Sequence, residues 1–485
     1  MKTVRDIPLL RKQARESHAS EFRRTRGELF VRLHRELGDI GRIRFFNIDC
    51  TSVASPELIH EVLVDNAKSF DKSLALKMAF YPLAGKGLFT SEGDLWKRQR
   101  KLLSPLFFPA TVRSYAPLMN DVIARCLDTW RDGDVIDAGR EMTRITMAVV
   151  GKVLFDSDTF DDADDLGAAI GEMFNYLTDM GASFSLVARA TLGVQLLELG
   201  QLPPWADALR VRAIDKLAEP IPWPTPKRRA LFRAIHTLNR RVQEMIDERR
   251  RAPAARTDLL TRLLEARHED DGTVMTDRQI RDEAMTLFVA GHETTATSTT
   301  WSLYFLARHP DAYRKWHQEI SALPDAPPTA DEAAQLTYTT GVFKEAMRIY
   351  PPAFLLDRVC LEDIRIGGHD FPRFTTFFIS PYALHRRPHL FPDPERFDPD
   401  RFTPEAEAAR PRFSWIPFGA GPRVCIGAGF ATLEAQLILA QIAQRFDFEP
   451  IDRAPIGPSF LTALRPARPI RLRVRRRTRA PASAA

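Results

Sequence analysis

The chain has 485 residues, 44% of them hydrophobic, so it holds enough apolar material for one very large domain or several smaller ones. Its four cysteines are far apart, which excludes a disulfide framework and a structural zinc site and favours a reducing, cytoplasmic compartment. The formal net charge is +6, but basic and acidic residues are mixed and no nucleic-acid-binding motif occurs, so nucleic acid is not an expected partner.

Residues 27–70 mix strand-like and helical patterns, and we expect them to form a β-rich N-terminal part. The stretch IGRIRFFNI at 40–48 predicts a strand, because it is rich in β-branched and aromatic residues. Before residue 27 no apolar run is long enough for a signal peptide or a membrane span, so a soluble protein is expected. The apolar stretch 75–89 is broken by glycine and proline, which predicts an irregular loop.

Helical patterns dominate residues 112–250, except for a proline-rich break at 218–229. Four prolines cannot lie inside a helix. The break is therefore either a linker between domains or, as we favour, a rigid loop over a pocket.

One long helical pattern follows. Thr276 can cap its N-terminus and Pro310 stops it, so the helix would be about 50 Å long and would cross the whole core. Its centre, AGHETTATSTT at 290–300, contains a glycine, a carboxylate and many hydroxyls, which are poor choices for the interior of a buried helix. The polar centre therefore indicates a function rather than packing.

The C-terminal third combines helices with short strands. Helices are predicted over 337–349 and after Cys425, and strand patterns lie between residues 363 and 384. A basic tail follows at 475–485. The expected fold class is mainly α with small β-sheets, in a single large domain.

Cys425 lies in FGAGPRVCIG (418–427), a stretch whose composition suits a reactive sulfur. Glycines let the backbone bend, Arg423 adds positive charge, and the N-terminus of the following helix points back at the sulfur. These features favour a thiolate over a thiol. The thiolate could be a metal ligand or a nucleophile, and the remaining possibility is a structural cysteine. The stretch contains no histidine that could act as the general base for a nucleophilic cysteine.

The stretch 418–427 resembles the cysteine-ligand loop of the cytochromes P450, F-x-x-G-x-R-x-C-x-G, at every fixed position. Further motifs of that family occur in the family's order. They are W-x-x-x-R at Trp96 and Arg100, [AG]-G-x-[DE]-T-[TS] at 290–295, E-x-x-R at Glu345 and Arg348, and PERF at 394–397, which contains Arg396. The resemblance implies the cytochrome P450 fold.

The resemblance also implies haem b (iron protoporphyrin IX), with the Cys425 thiolate as the protein ligand of the iron. Phe418, Gly419 and Gly427 would border the haem, and Ala290 would keep its opposite side open. Two buried propionates require cationic or N–H donors. The family pattern gives that role to Trp96, Arg100 and Arg423, and more loosely to Arg358.

Two further groups have implied roles. Glu345, Arg348 and Arg396 would form a buried ionic clamp that supports the cysteine loop. Glu293 and Thr294 would form an acid–alcohol pair that delivers protons during O₂ activation. The alternative for Thr294 is a purely local role, in which its hydroxyl bends the helix by bonding to a carbonyl.

The substrate pocket is expected to be apolar. Segments that resemble the family's pocket regions supply the candidate lining residues Leu74, Met78, Phe80, Phe288, Phe354 and Phe460.

The function implied is a haem-thiolate monooxygenase that inserts one oxygen atom of O₂ into an apolar, fatty acid-like or terpenoid-like small molecule. Electrons would come from a ferredoxin or flavodoxin-type donor with its NAD(P)H reductase. Lys97, Arg98 and Lys101 could form its docking face, and a solvated helix face is the alternative. Two alternative functions are a P450-type isomerase or dehydratase that needs no external electrons, and a non-catalytic haem protein.

Overall fold

The computed structural model describes residues 2–13, 16–46, 48–157, 163–180, 183–199, 203–219, 225–251, 258–267, 272, 274–461 and 463–477. Helices form most of this described part. They are α1 His18–Thr25, α2 Gly27–Leu37, α3 Pro56–His60, α4 Leu74–Ala84, α5 Gly93–Leu103, α6 Pro109–Ser114, α7 Ala116–Leu127, α8 Ala138–Phe155, α9 Ala163–Met180, α10 Phe184–Glu198, α11 Pro204–Ala218, α12 Pro226–Arg251, α13 Leu259–Glu265, α14 Asp277–Arg308, α15 Pro310–Ser321, α16 Ala330–Gln335, α17 Thr337–Ile349, α18 Pro381–Leu384, α19 Pro404–Ala409 and α20 Ala428–Arg445.

The strands are short and form small sheets beside the helices. They are β1 Lys2–Thr3, β2 Ile40–Phe45, β3 Ile48–Val53, β4 Phe70–Asp71, β5 Val135–Asp137, β6 Leu356–Cys360, β7 Ile364–Ile366, β8 His369–Phe371, β9 Thr376–Ile379, β10 Phe446–Pro450, β11 Pro458–Phe460, β12 Leu464–Pro466 and β13 Arg471–Arg476. The largest sheet has the order β2-β3-β9-β6-β4, and the smaller ones are β1-β8-β7, β10-β13-β5 and β11-β12. The mainly α fold with small sheets is the one that the sequence predicts.

The long helix α14 runs through the centre of the helical body. Thr276 caps it: its hydroxyl accepts the Gln279 N–H, while the Gln279 side chain accepts the Thr276 N–H at 2.8 Å. The helix ends at Arg308, and Pro310 begins α15. It packs against α8, α17, α12, α4 and α20, so the core is built around it.

Two segments near the N-terminus differ from the sequence-based expectation. Residues 27–37, expected within a β-rich part, form α2, because Leu29, Phe30 and Leu33 place one apolar stripe in the core. The expected loop at 75–89 is largely the helix α4. Its N-terminus is capped by Ser73, Pro82 is accommodated near its end, and Gly85 terminates it at a φ of 49°.

Two predictions fall partly outside the described residues. The helices α11 and α12 flank the proline-rich break, but residues 220–224 within it are not described. The basic tail begins as the last residues of β13, and its remainder, 478–485, is not described either. Whether the break is a loop over a pocket thus stays a prediction.

In the described part of the chain, no one helix has both the length and the apolar composition to cross a bilayer. The bent pair Asp165–Asp179 and Phe184–Glu198, which meet at 73°, would pass the same criteria jointly.

Candidate active site

The cysteine loop is a tight turn that precedes α20. The Cys425 N–H donates to the Phe418 carbonyl at 2.9 Å, and the Val424 N–H donates to Gly421 at 3.0 Å. Gly427 then occupies the cap position of α20. Of the four cysteines, Cys425 alone is exposed. The turn therefore offers one accessible sulfur inside a large helical body.

The electrostatics of the turn differ from the sequence-based expectation. The protein packed around the accessible Cys425 sulfur partly desolvates it and so raises the pKa of the thiol, although the Gly427 N–H and the charge of Arg100 lower it. The Arg100 guanidinium lies close because it donates to the Val424 carbonyl at 3.0 Å. The turn alone thus does not favour the thiolate. A metal ion would, because a coordinated thiol loses its proton.

Two glycines give the loop its shape. Gly419 and Gly421 have φ values of 73° and 69°, a region that side chains disfavour. A Cβ on Gly421 would overlap the Leu63 carbonyl oxygen, whereas a Cβ on Gly419 would meet no atom within 4 Å. The loop at Gly421 is therefore in direct backbone contact with the segment after α3.

A buried ion pair lies beneath the loop. Glu345 and Arg348 are both fully buried on α17, and the Arg348 Nε and Nη2 atoms donate to the two Glu345 oxygens at 2.6 and 2.9 Å. Arg348 also donates to the carbonyls of His385 at 3.1 Å and Arg396 at 3.2 Å. The Asp398 N–H donates to Glu345 at 3.0 Å. The pair is thus well satisfied, as burial of two charges requires.

The prediction that Arg396 is the third member of this clamp is wrong. The Arg396 side chain is exposed, and the residue contributes only its backbone carbonyl. The additional cation is Arg401, whose Nε lies 3.5 Å from the Glu345 Oε1 atom. The proline-rich stretch turns back between these residues, so the later arginine faces the carboxylate.

His385 connects the clamp to the cysteine loop, and no sequence motif marked it. Its Nε2 accepts the Ile416 N–H at 3.0 Å, so the ring proton is assigned to Nδ1, which lies 3.3 Å from the Arg348 carbonyl. Burial lowers the pKa of His385 well below its usual range, which keeps the ring neutral. The Ile416 carbonyl then accepts the Gly419 N–H at 3.0 Å.

Cationic side chains surround the loop on its other side. The Arg423 guanidinium lies 3.9 Å from the centre of the Trp96 ring and donates to the Ser91 carbonyl at 3.0 Å. Arg358 is buried on β6 and donates to the Asp357 carbonyl at 2.6 Å. The predicted cofactor-binding residues Trp96 and Arg423 are thus in contact. A small cavity joins Arg423 to Arg358.

Lys72 belongs to the same group and was not predicted. It lines the small cavity with Arg358 and Arg423. Burial lowers the pKa of Lys72 well below its usual range, and the two arginines lower it further. A dianionic group at this place would offset that repulsion and the desolvation.

The centre of α14 presents two different faces. Ala290 and Thr294, one turn apart, are exposed in a helix that is otherwise largely buried. The Thr294 hydroxyl donates to the Ala290 carbonyl at 2.9 Å. Gly291 lies against Val150 of α8, so this glycine serves helix packing rather than the open face.

The opposite face of α14 is core. Phe288 is buried, with its ring centroid 5.8 Å from that of Phe155, and His292 is buried beside it. The prediction that Phe288 lines the pocket is wrong, because it lies two residues from Ala290 and therefore projects from another side of the helix.

Glu293 is held by Arg465, another residue that sequence reasoning missed. Glu293 is buried, and both of its oxygens accept from the Arg465 guanidinium, one of them at 2.5 Å from Nη2. Arg465 lies on β12, and its guanidinium is 5.5 Å from the centre of the Phe174 ring. The carboxylate predicted to act with Thr294 is thus engaged in a bidentate ion pair.

The other predicted pocket residues divide into two groups. The side chains of Leu74 and Met78 on α4 lie 3.1 and 3.2 Å from the position that a Cβ atom would occupy on Gly193 of α10. Both residues therefore lie where these two helices pack together. Phe80 lies beside Phe89, with ring centroids 4.8 Å apart. Phe354 and Phe460 instead pack together and against Tyr382 in a separate apolar cluster.

These features fit a haem. The accessible Cys425 sulfur suits an iron ligand, and buried cations suit two propionates. Among the described residues, no three His, Cys, Asp or Glu side chains are grouped to hold a bare metal ion. A single protein sulfur with no other protein ligands beside it suits an iron whose other ligands come from a macrocycle, so the fold and the site define a haem-thiolate protein.

Comparisons with known proteins agree with this class. A sequence model of the cytochrome P450 family matches residues 17–192 and 209–474. Cyclooctatin synthase of Streptomyces melanosporofaciens is 34% identical over 423 residues, which covers 87% of this chain and 85% of that protein. Pentalenene oxygenase of Streptomyces avermitilis is 30% identical over 442 residues, 91% of each chain. The crystal structure of the cytochrome P450DA heme domain matches with a TM-score of 0.81 and 25% identity over 97% of each chain.

The chain belongs to the cytochrome P450 family. It has the P450 fold, it is a P450 monooxygenase, and its cofactor is haem b.

The contrast between the two loop glycines gives a matched test. We expect Gly419→Ala to cost about 1–2 kcal/mol, because only the backbone conformation is strained. Gly421→Ala adds overlap with the Leu63 carbonyl, and we expect a loss above about 3 kcal/mol together with a reduced haem content. Chemical unfolding and the haem-to-protein absorbance ratio measure both. Equal stability of the two variants would contradict the contact.

The clamp gives a second test. Glu345→Ala leaves the Arg348 charge buried without its partner, which costs about 3–5 kcal/mol, and we expect little haem-loaded protein. The control is Lys344→Ala on the same helix, whose pair with Glu407 is partly exposed and worth about 0–1 kcal/mol. Haem content after purification decides: normal loading of the Glu345 variant would show that the pair does not support the loop.

Proposed function

We propose that this P450 oxidises a cyclic, terpenoid-like hydrocarbon, with Cys425 as the ligand of the haem iron. The observation that carries the proposal is the accessible Cys425 sulfur, in a body whose long helix opens one face at Ala290 and Thr294. When bound, the haem supplies O₂ activation and the transfer of one oxygen atom.

The substrate class rests on relatives and on the chemistry of the pocket. A third relative is named cyclooctat-9-en-7-ol 5-monooxygenase, and another is pentalenene oxygenase, so their names specify an alkenol and an alkene. In this chain, Phe80 of α4 lies beside Phe89, and Leu74 and Met78 of the same helix pack against α10. Apolar surroundings of this kind favour burial of a hydrocarbon skeleton. A fatty acid-like substrate is the alternative.

Thr294 is the residue best placed to handle protons on the open face. Its hydroxyl is exposed and bonded only to a helix carbonyl in the described contacts, and its oxygen keeps acceptor capacity. Glu293 would act with it only after releasing part of its bond to Arg465. We therefore assign Thr294 to proton delivery and Glu293 with Arg465 to a supply of protons behind it.

The electron source is proposed to be a separate ferredoxin or flavodoxin-type protein with its NAD(P)H reductase. Lys97, Arg98 and Lys101 are exposed on α5, the helix that also carries Trp96 and Arg100. A positive surface so near the cysteine loop suits an acidic carrier, whose approach such charges accelerate.

Turnover separates this function from its alternatives. We expect product only when O₂, NAD(P)H and surrogate redox proteins are all present, and we expect cyclic alkenes and alkenols to shift the Soret band more than fatty acids of equal carbon number. A reduced CO-difference spectrum checks thiolate ligation first. A larger Soret shift with fatty acids than with cyclic alkenes and alkenols would instead support the fatty acid-like alternative.

Thr294 has its own test. We expect Thr294→Ala to consume NAD(P)H at a similar rate but to form less product and more hydrogen peroxide, because protons reach the reacting oxygen less selectively. The control is Ser302→Ala, which removes a hydroxyl bonded in the same way, to the Ser298 carbonyl at 2.9 Å, further along α14. If the Thr294 variant formed as much product per electron as the wild type, Thr294 would have only a structural role, through the bond of its hydroxyl to the helix backbone.

A further inference from the structure

Glu92 lies where three segments of the haem site meet. It directly precedes α5, and its side chain is 11% exposed. One oxygen accepts the Lys72 backbone N–H at 2.9 Å and lies 3.8 Å from the Lys72 ammonium. The other forms an ion pair with the Arg423 guanidinium. A single carboxylate therefore holds two of the cations in the group beside the cysteine loop.

The surrounding charges single out this carboxylate. The group contains four cations, Lys72, Lys77, Arg358 and Arg423, and three carboxylates, Asp71, Glu92 and Asp357. Asp71 lies 3.8 Å from Lys77, and Asp357 accepts the Ser73 hydroxyl. Glu92 alone of the three is in contact with both Lys72 and Arg423.

The contacts of Glu92 also join two functional segments. Lys72 is followed by Ser73, the residue that caps α4 and so starts the helix of the proposed pocket. Arg423 lies two residues before Cys425 on the other side. Through these two partners, the start of the pocket helix and the cysteine loop are bonded to one carboxylate.

We propose that Glu92 is a positioning residue for the haem: it orients Lys72 and Arg423 toward the propionates, and its charge lowers the reduction potential of the iron. Reduction adds one negative charge to the haem, so a fixed carboxylate close by disfavours it. The carboxylate also offsets part of the positive charge of the two cations. Both of these effects of the Glu92 charge lower the potential. The proposal requires a haem at Cys425 and does not depend on the substrate.

Glu92→Gln in the haem-loaded protein is the test, since it keeps the shape of the side chain and removes its charge. We expect the midpoint potential to shift to more positive values, and haem transfer to apomyoglobin to become about tenfold faster as the two cations lose their anchor. The matched control is Asp94→Asn, two residues away, which removes the same charge from an exposed side chain that is paired with Lys97. We expect the control to match the wild type in both measurements.

Glu92→Asp separates charge from packing. It keeps the charge but shortens the reach, so the potential should stay near that of the wild type while haem loss becomes faster. A Glu92→Gln potential equal to those of the wild type and the Asp94 variant would overturn the proposal. If Glu92→Gln retains no haem, the Asp variant decides, because unaltered haem loss there would equally overturn it. The reduced CO-difference spectrum of the wild type checks the Cys425 site independently.

Discussion

The fully buried ion pair between Glu345 and Arg348 is the interaction on which the rest of the site depends. Two charges are removed from water there, and only complete hydrogen bonding makes that tolerable. Arg348 therefore binds two backbone carbonyls, and one of them belongs to His385. The His385 ring in turn accepts the Ile416 N–H, and Ile416 accepts from Gly419 in the cysteine loop. The need to satisfy one guanidinium thus determines the path of the backbone that carries the sulfur.

A second constraint acts on the centre of the long helix α14. Around residues 288–294, this helix has to bury the side chains of one face in the core and leave the other face exposed. Phe288 and His292 fill the core side, while Ala290 and Thr294 carry only small side chains on the open side. The threonine hydroxyl bonds to its own helix, so the polar group costs little when no ligand contacts it.

Features that depend on neighbours in sequence could be predicted, and features that depend on distant backbone could not. The cap at Thr276 and the pair of Glu345 and Arg348 follow from spacing on one helix, and both occur as expected. Whether Arg396 or Arg401 faces Glu345 depends on how the proline-rich stretch turns. The motif therefore identified the segment but not the arginine.

The residues missed entirely share one property, which is that tertiary contacts alone define them. Lys72 and Arg465 lie in stretches without any motif, and each gains its role from a partner far away in sequence. The helix α4 was missed for a related reason. Its proline and flanking glycine indicate a loop locally, yet the packing of Leu74 and Met78 against Gly193 selects a helix.

The state of the sulfur links all these parts. Partial desolvation raises the pKa of the Cys425 thiol, and the nearby N–H and arginine only partly counter it. The cations Lys72 and Arg358 are also desolvated, and burial lowers their pKa values. A thiol of raised pKa and several desolvated cations together leave this part of the protein electrostatically incomplete. Iron at Cys425 would offset the first cost and two propionates would offset the second, so haem binding and completion of the fold around the loop would contribute to one free energy.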